Sequence, residues 1–313
     1  MPLVESLLVV TNPDIDGSDE HLVQNAITAL RAEADVHVCK IALPGDLDGA
    51  LQRRGSRKVV VAGDDKILHT VVAALHRRNE LDDTVLAILP DGPESDFARG
   101  AGIPTDPIEA ARVVLDGVER RFDLLIDCRG DVVVNTVQLG LSGRPLRTRI
   151  WSAGRLEDAV EADLGFGHHE HSHPRAKPFH VRIEADDTLV ADFDRPVLQV
   201  AVTNAPPYAE PPTGGAAPDG VAANGAAEAD PADGYADVVV NFAVDPISRA
   251  RRALMRSGHD DADTLTVRAR RVSVAGQRFW LNSDGQDSGT ERRCTWNVVP
   301  QLLRVIVPAT GEG

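Results

Sequence analysis

Short apolar runs alternate with amphipathic stretches through the first third of the chain. Residues 6–11 (SLLVVT) form one run closed by Asn12-Pro13, which predicts a buried strand and then a turn. Leu22, Val23, Ala26, Ile27 and Leu30 recur at helical spacing, and Val36 and Val38 alternate with polar neighbours as a short strand. A weak helix over 47–53 leads to a strand over 58–62. Ile67, Leu68, Val71, Val72 and Leu75 are the buried stripe of the next helix, and another strand follows over 85–89. Asp106-Pro107-Ile108-Glu109 opens a further helix, with Asp106 as N-cap, Pro107 at the first position and Glu109 completing a capping box; Gly117 ends it. This βαβα order predicts a mostly parallel sheet covered by helices.

Past residue 123 strand periodicity takes over. Strands are expected over 124–126, 132–137, 179–183, 197–202, 238–242, 265–274, 279–281 and 302–307, with turn residues between them. Helices are expected near 156–162 and 246–255. The pattern predicts an α/β domain over 1–123, Rossmann-like and of nucleotide-binding type, followed by a β-sandwich or barrel domain over 124–313 whose last residues return to the first. Two segments read as unstructured: the histidine-rich tract 168–173 (HHEHSH), and 205–234, rich in Ala, Pro and Gly.

Two strand ends in the first domain carry candidate chemistry. Residues 59–66 read VVVAGDDK and 86–99 read LAILPDGPESDFAR. Each is an apolar strand running into a glycine turn and then a helix, an arrangement whose backbone N–H groups and helix dipole favour a phosphate. Composition narrows the partners. A formal net charge of −15 argues against nucleic acid, whose phosphates need Lys and Arg to neutralise them. Cys39, Cys128 and Cys294 form no CxxC pair and read as isolated reduced thiols of a cytoplasmic protein. The N-terminal apolar run is too short for a signal peptide or a membrane span.

The order of these motifs resembles the diacylglycerol kinase catalytic family, which includes bacterial lipid kinases and the sphingosine kinases. Asn12-Pro13 falls where that family has Asn-Pro after its first strand. Residues 62–66 (AGDDK) fall on its Gly-Gly-Asp-Gly-Thr, and 90–99 on its Pro-x-Gly-Thr-x-Asn-Asp-Phe-Ala-Arg, with Asp96-Phe97-Ala98-Arg99 matching fully. Asn135 to Gly140 resembles its Asn-x-x-x-x-Gly. Residues 233–237 (DGYAD) resemble a loop that holds structural Mg²⁺ in bacterial members, and Asp284-Gly285-Gln286 falls on its Asp-Gly-Glu. The resemblance implies ATP and Mg²⁺ as cofactors and phosphoryl transfer to a lipid hydroxyl such as that of diacylglycerol. It implies Asn12, Gly63, Asp64, Lys66, Gly92, Ser95 and Asp96 around the nucleotide, Asp284 as catalytic base, and Asp233 and Asp237 at a metal.

The departures fall on the same motifs. Asp65 stands at a glycine position and brings a carboxylate towards the phosphates; at ~5 Å and a dielectric of about 20 the repulsion is roughly 3 kcal/mol. Lys66 can offset it by pairing with a phosphate or with Asp65. Pro93 removes a hydroxyl and a backbone donor, Ser95 replaces asparagine while keeping a capping oxygen, and Gln286 is a poorer Mg²⁺ ligand than glutamate. Two readings therefore stand: an active lipid kinase, and a pseudokinase that binds a lipid, a nucleotide or a partner protein. For Asp64 and Asp65 a capped, solvated turn competes with a nucleotide site, and for Asp284 hairpin-turn chemistry competes with the base. The His168 to His173 tract reads as a surface linker before a metal site. Arginines 144, 147, 149 and 155 around Trp151, and 249, 251, 252 and 256 on the 246–255 helix, read either as solvated faces or as weak peripheral contacts with the inner membrane surface. The sequence admits a homodimer and does not say whether one forms.

Overall fold

The structure, a computed structural model, describes residues 5–12, 18–93, 95–140, 178–204, 232–243 and 264–309. The expected helices over 156–162 and 246–255, the histidine tract, both arginine patches and nearly all of 205–234 lie outside the described residues. The chain divides into two compact units: residues 1–124, 231–234 and 299–313 form the first, and 125–230 and 235–298 the second.

The first unit is a parallel sheet with helices. Its strands β1 (Ser6–Thr11), β2 (Asp35–Lys40), β3 (Lys58–Gly63) and β4 (Val85–Pro90) run in the order β2-β1-β3-β4. The last residues of the chain add a fifth strand, with Arg304 opposite Val85 and Val305 opposite Leu86. β1, β3 and β4 are buried along nearly their whole length, as expected of parallel strands covered on both faces. β2 is the edge, so its Asp35 and His37 are partly exposed. Helices α1 (Ser18–Glu33), α2 (Asp46–Gln52) and α3 (Asp65–Arg77) connect these strands, and α4 (Asp96–Gly100) and α5 (Pro107–Asp116) follow β4. The Asp106 side chain caps α5 by accepting from the N–H groups of Ile108 and Glu109. Gly117 ends α5 for want of room: a Cβ there would lie 2.5 Å from the Val113 carbonyl and from Ile306 Cγ2.

The second unit is strand-rich and antiparallel. β5 (Val118–Asp127) carries the chain into it, followed by β6 (Val132–Val133), β7 (Thr136–Gly140), β8 (Val181–Ala185), β9 (Thr188–Ala191), β10 (Val197–Thr203), β11 (Ala236–Phe242), β12 (Thr264–Ala269), β13 (Arg271–Ser283) and β14 (Gln286–Val307), whose end from residue 299 is the fifth strand of the first unit. The order β12-β11-β10-β7-β13-β14 forms its main path, with β8 also on β13 and β9 on β8. Alternate residues of these strands, among them Val181, Ile183, Val200, Val202, Val238, Val240, Val272 and Val274, meet Phe179, Phe279 and Trp296 in one core.

Several boundaries differ from the periodicity, each for a local reason. The expected strand 132–137 is two strands, because the N–H groups of Val134, Asn135 and Thr136 turn to the Asp284 carboxylate. The expected strand 265–274 breaks at Arg270, where the N–H groups of Arg270 and Arg271 are taken by Asp186. Residues 279–281 are no separate strand: β13 continues through an irregularity near Gly276, where the backbone passes so close to His180 and Val181 that a Cβ would sit 2.5 Å from the His180 carbonyl. β5 begins six residues earlier than expected, its exposed start held by Glu119 against Arg304. β14 begins sixteen residues before the expected 302.

Candidate nucleotide turns and the Asp284 corner

β3 and β4 are neighbours in a register that sets Gly63 opposite Pro90, so the two glycine turns emerge side by side. Gly63 has φ 142° and Gly92 φ 156°, conformations that favour glycine. A Cβ at Gly63 would lie 2.9 Å from Ile67 Cγ2, whereas nothing lies within 4 Å of the Cβ direction at Gly92. Asp64 is the N-cap of α3, its carboxylate accepting from Ile67 N–H at 3.1 Å. Ser95 is the N-cap of α4 and accepts from Ala98 N–H. Lys66 is exposed in the first turn of α3, and Asn12 is exposed just beyond β1.

Asp65 joins the two turns. Its carboxylate accepts from the Ser95 hydroxyl at 2.7 Å, from Asp96 N–H at 2.9 Å and from Phe97 N–H at 3.3 Å. Asp96 pairs with Arg99, and Phe97 is buried against Phe122. The residue expected to repel a phosphate therefore does more than add a charge: it uses backbone donors at the second turn. The negative carboxylate also suits the start of a helix.

Asp284 lies in the second unit, in a two-residue turn between β13 and β14 with Ser283 opposite Gln286. Asp284 (φ 49°) and Gly285 (φ 76°) both take the left-handed conformation that such a hairpin requires. The carboxylate is nearly buried. One oxygen accepts from Val134 N–H at 2.8 Å, and the other from Asn135 and Thr136 N–H at 2.8 and 2.9 Å. Its own N–H donates to the Thr136 carbonyl at 2.9 Å. Asp284 thus fastens the β6–β7 corner to the hairpin.

Asp237 in β11 pairs with Arg268 at 3.3 Å. Asp233 sits in the first unit beside Gly234, whose N–H is held by Asp123 at 2.6 Å. Among the described residues no three His, Cys, Asp or Glu side chains gather as a metal site. Asp123 is a structural residue that the sequence reading passed over. Fully buried, it also accepts from Gln301 N–H at 2.8 Å, so one carboxylate gathers three distant parts of the first unit. Its one signal is a charge between Phe122 and Leu124, at the start of the apolar part of β5.

The diacylglycerol kinase catalytic domain matches residues 6–126. That segment, under half of the chain, is what resembles the family. A protein of Stenotrophomonas maltophilia named "Probable lipid kinase YegS-like" is 41% identical over 75 residues, 23% of this chain and 24% of its own length. One of the same name from Klebsiella pneumoniae is 31% identical over 124 residues, 38% of this chain and 40% of its own. The chain thus matches about a quarter to two-fifths of these curated relatives' length. The fold likeness is wider. Two crystal structures of diacylglycerol kinase-like proteins from Bacillus anthracis str. Sterne align with 98% of this chain and 97–98% of their own, at TM-scores of 0.67 and 0.63 and identities of 19% and 17%. The wider likeness is one of fold, and among the described residues no helix is long and apolar enough to cross a membrane.

Proposed function

We propose that this protein is a diacylglycerol kinase-like protein whose ATP-dependent phosphoryl transfer to a lipid hydroxyl is impaired. The observation that carries this is the Asp65 carboxylate on Ser95, Asp96 and Phe97. The retained glycines still suit close approach of a phosphate. The donors that a phosphate would use at the second turn do not, because an internal carboxylate already holds them. Displacing that carboxylate gives up two good charge-assisted hydrogen bonds, about 3 kcal/mol, which weakens nucleotide binding roughly a hundredfold. Pro93 removes one more donor, and Gln286 replaces an ionisable ligand.

The pseudokinase is the limiting form of this reading, and the Asp284 corner favours it. A carboxylate that accepts three backbone N–H groups is committed to the fold before any substrate arrives. The test is phosphoryl transfer from labelled ATP to diacylglycerol in mixed micelles, comparing wild type with the combined variant Asp65→Gly, Pro93→Thr and Gln286→Glu. Little or no transfer by wild type and a clear gain in the variant support the proposal. Robust transfer by wild type, not increased by the three changes, overturns it.

A further inference from the structure

Two of the three cysteines, read from the sequence as isolated, meet in the second unit. Cys128 Sγ and Cys294 Sγ are 4.0 Å apart although the residues are 166 positions apart in sequence. Their surroundings differ. Cys128 is exposed, in the turn that follows β5, whereas Cys294 is 1% exposed in β14, opposite Val274 of β13. Asp127 holds the turn beside them. One of its oxygens accepts from the N–H groups of Arg129 and Asp131 at 2.8 and 2.9 Å, and the other lies 3.9 Å from Cys294 Sγ.

We propose that Cys128 and Cys294 are a redox-active dithiol, in which a hydroperoxide oxidises Cys128 and Cys294 converts the product to an intrachain disulfide. In the first step the Cys128 thiolate attacks one peroxide oxygen. A sulfur–oxygen bond forms to the terminal oxygen, the oxygen–oxygen bond breaks, and hydroxide leaves from hydrogen peroxide or alkoxide from an organic hydroperoxide; Cys128 is oxidised to sulfenic acid and the peroxide is reduced. In the second step the Cys294 sulfur attacks the Cys128 sulfur. The sulfur–sulfur bond forms, the sulfur–oxygen bond breaks, and the departing hydroxide takes the Cys294 proton as water.

The assignment of roles follows from access. Peroxide reaches the exposed Cys128 and not the buried Cys294. Burial, Cys128 and the Asp127 carboxylate push the Cys294 thiol up to about 12, so it stays protonated and does not compete with Cys128 for peroxide. A disulfide needs the sulfurs to close to about 2 Å. Closure therefore requires the exposed Cys128 side chain to move towards Cys294, which is held in the β13–β14 ladder. Cys39 lies in the first unit and serves as an internal control.

The experiment is treatment of the reduced full-length protein with hydrogen peroxide, then alkylation, intact mass measurement and peptide mapping. The expected result is loss of two alkylatable thiols and of about 2 Da per chain, a peptide pair joined through Cys128 and Cys294, and full reversal by dithiothreitol. Cys39→Ala should behave as wild type. In Cys294→Ala, a sulfenic acid should persist on Cys128 and be trapped by dimedone; Cys128→Ala should leave Cys294 unoxidised. The wild-type map needs no variant to fold and decides alone. No joined pair, a pair containing Cys39, or a bridge between two chains would overturn the proposal.

Discussion

Replacing Asp284 with Asn should unfasten the β6–β7 corner and destabilise the second unit. Asn tolerates the left-handed turn at φ 49°, so the backbone conformation itself is little strained. Its amide oxygen can keep the bonds from Asn135 and Thr136 N–H, now neutral and therefore weaker by about 1 kcal/mol together. Its amide NH₂ then faces the Val134 N–H across the former 2.8 Å bond, donor against donor. Leaving that buried N–H unsatisfied costs about 2 kcal/mol, for a total near 3 kcal/mol. Asp284→Ala loses all three bonds and adds left-handed strain of about 1 kcal/mol, for a total near 5 kcal/mol. Urea unfolding followed by tryptophan fluorescence reports on this unit through Trp296, buried in its core. The expected order of stability is wild type, then Asn, then Ala, with the midpoint moving and the slope nearly constant. An Asn variant within about 0.5 kcal/mol of wild type would refute the corner role and return Asp284 to the list of available bases. Any loss of lipid turnover in these variants has to be read against this loss of fold.

Three further outcomes are expected. Gly117→Ala should lower the thermal midpoint seen by far-ultraviolet circular dichroism by an amount corresponding to about 2–3 kcal/mol, because its Cβ would press on the Val113 and Val307 carbonyls as well as Ile306; an unchanged midpoint would contradict the crowding. The hydrogen bond from Arg304 holds Glu119 below its ordinary value of 4.5, so the pair stabilises the native state above that pH and ceases to do so as the pH falls through the lower native value. Glu119→Gln should accordingly be less stable than wild type at neutral pH and indistinguishable in strong acid, with equal gaps at both pH values counting against it. Cys294, raised from 9.0 to about 12, contributes fully below pH 9 and loses its contribution as the pH rises towards 12. Between those limits wild type should lose stability relative to Cys294→Ala by up to about 1.4 kcal/mol per pH unit, and a constant gap would refute the burial argument.

The parts of the fold legible in the sequence were those set by neighbours along the chain. The apolar runs of β1, β3 and β4 announce strands buried on both faces, and the stripe from Ile67 to Leu75 announces α3. Asp106 and Pro107 mark the start of α5 because a cap acts within three residues. The unread parts depend on contacts between distant residues. Asp65 reaches Ser95 only because the Gly63–Pro90 register brings positions thirty apart together. The corners at Val134 and Arg270 break stretches whose strand pattern runs on through them, since carboxylates from Asp284 and Asp186 replace ladder partners. The first half of β14 escaped notice because its apolar positions, Cys294, Trp296 and Val298, stand between charged and polar residues; the period of two was present but short. Asp123 and the Cys128–Cys294 pair follow from three-dimensional closure and carry almost no local signal.

The most direct test of the central claim is calorimetric titration of the wild-type protein and of Asp65→Gly with ATP and Mg²⁺. The account predicts a wild-type dissociation constant in the high micromolar range or weaker, and binding in the variant tighter by roughly a hundredfold, the binding equivalent of about 3 kcal/mol. It also predicts that the same variant is less stable than wild type, since the bonds from Asp65 to Ser95, Asp96 and Phe97 are gone. Sub-micromolar binding by wild type, or equal affinity in the two proteins, would contradict it.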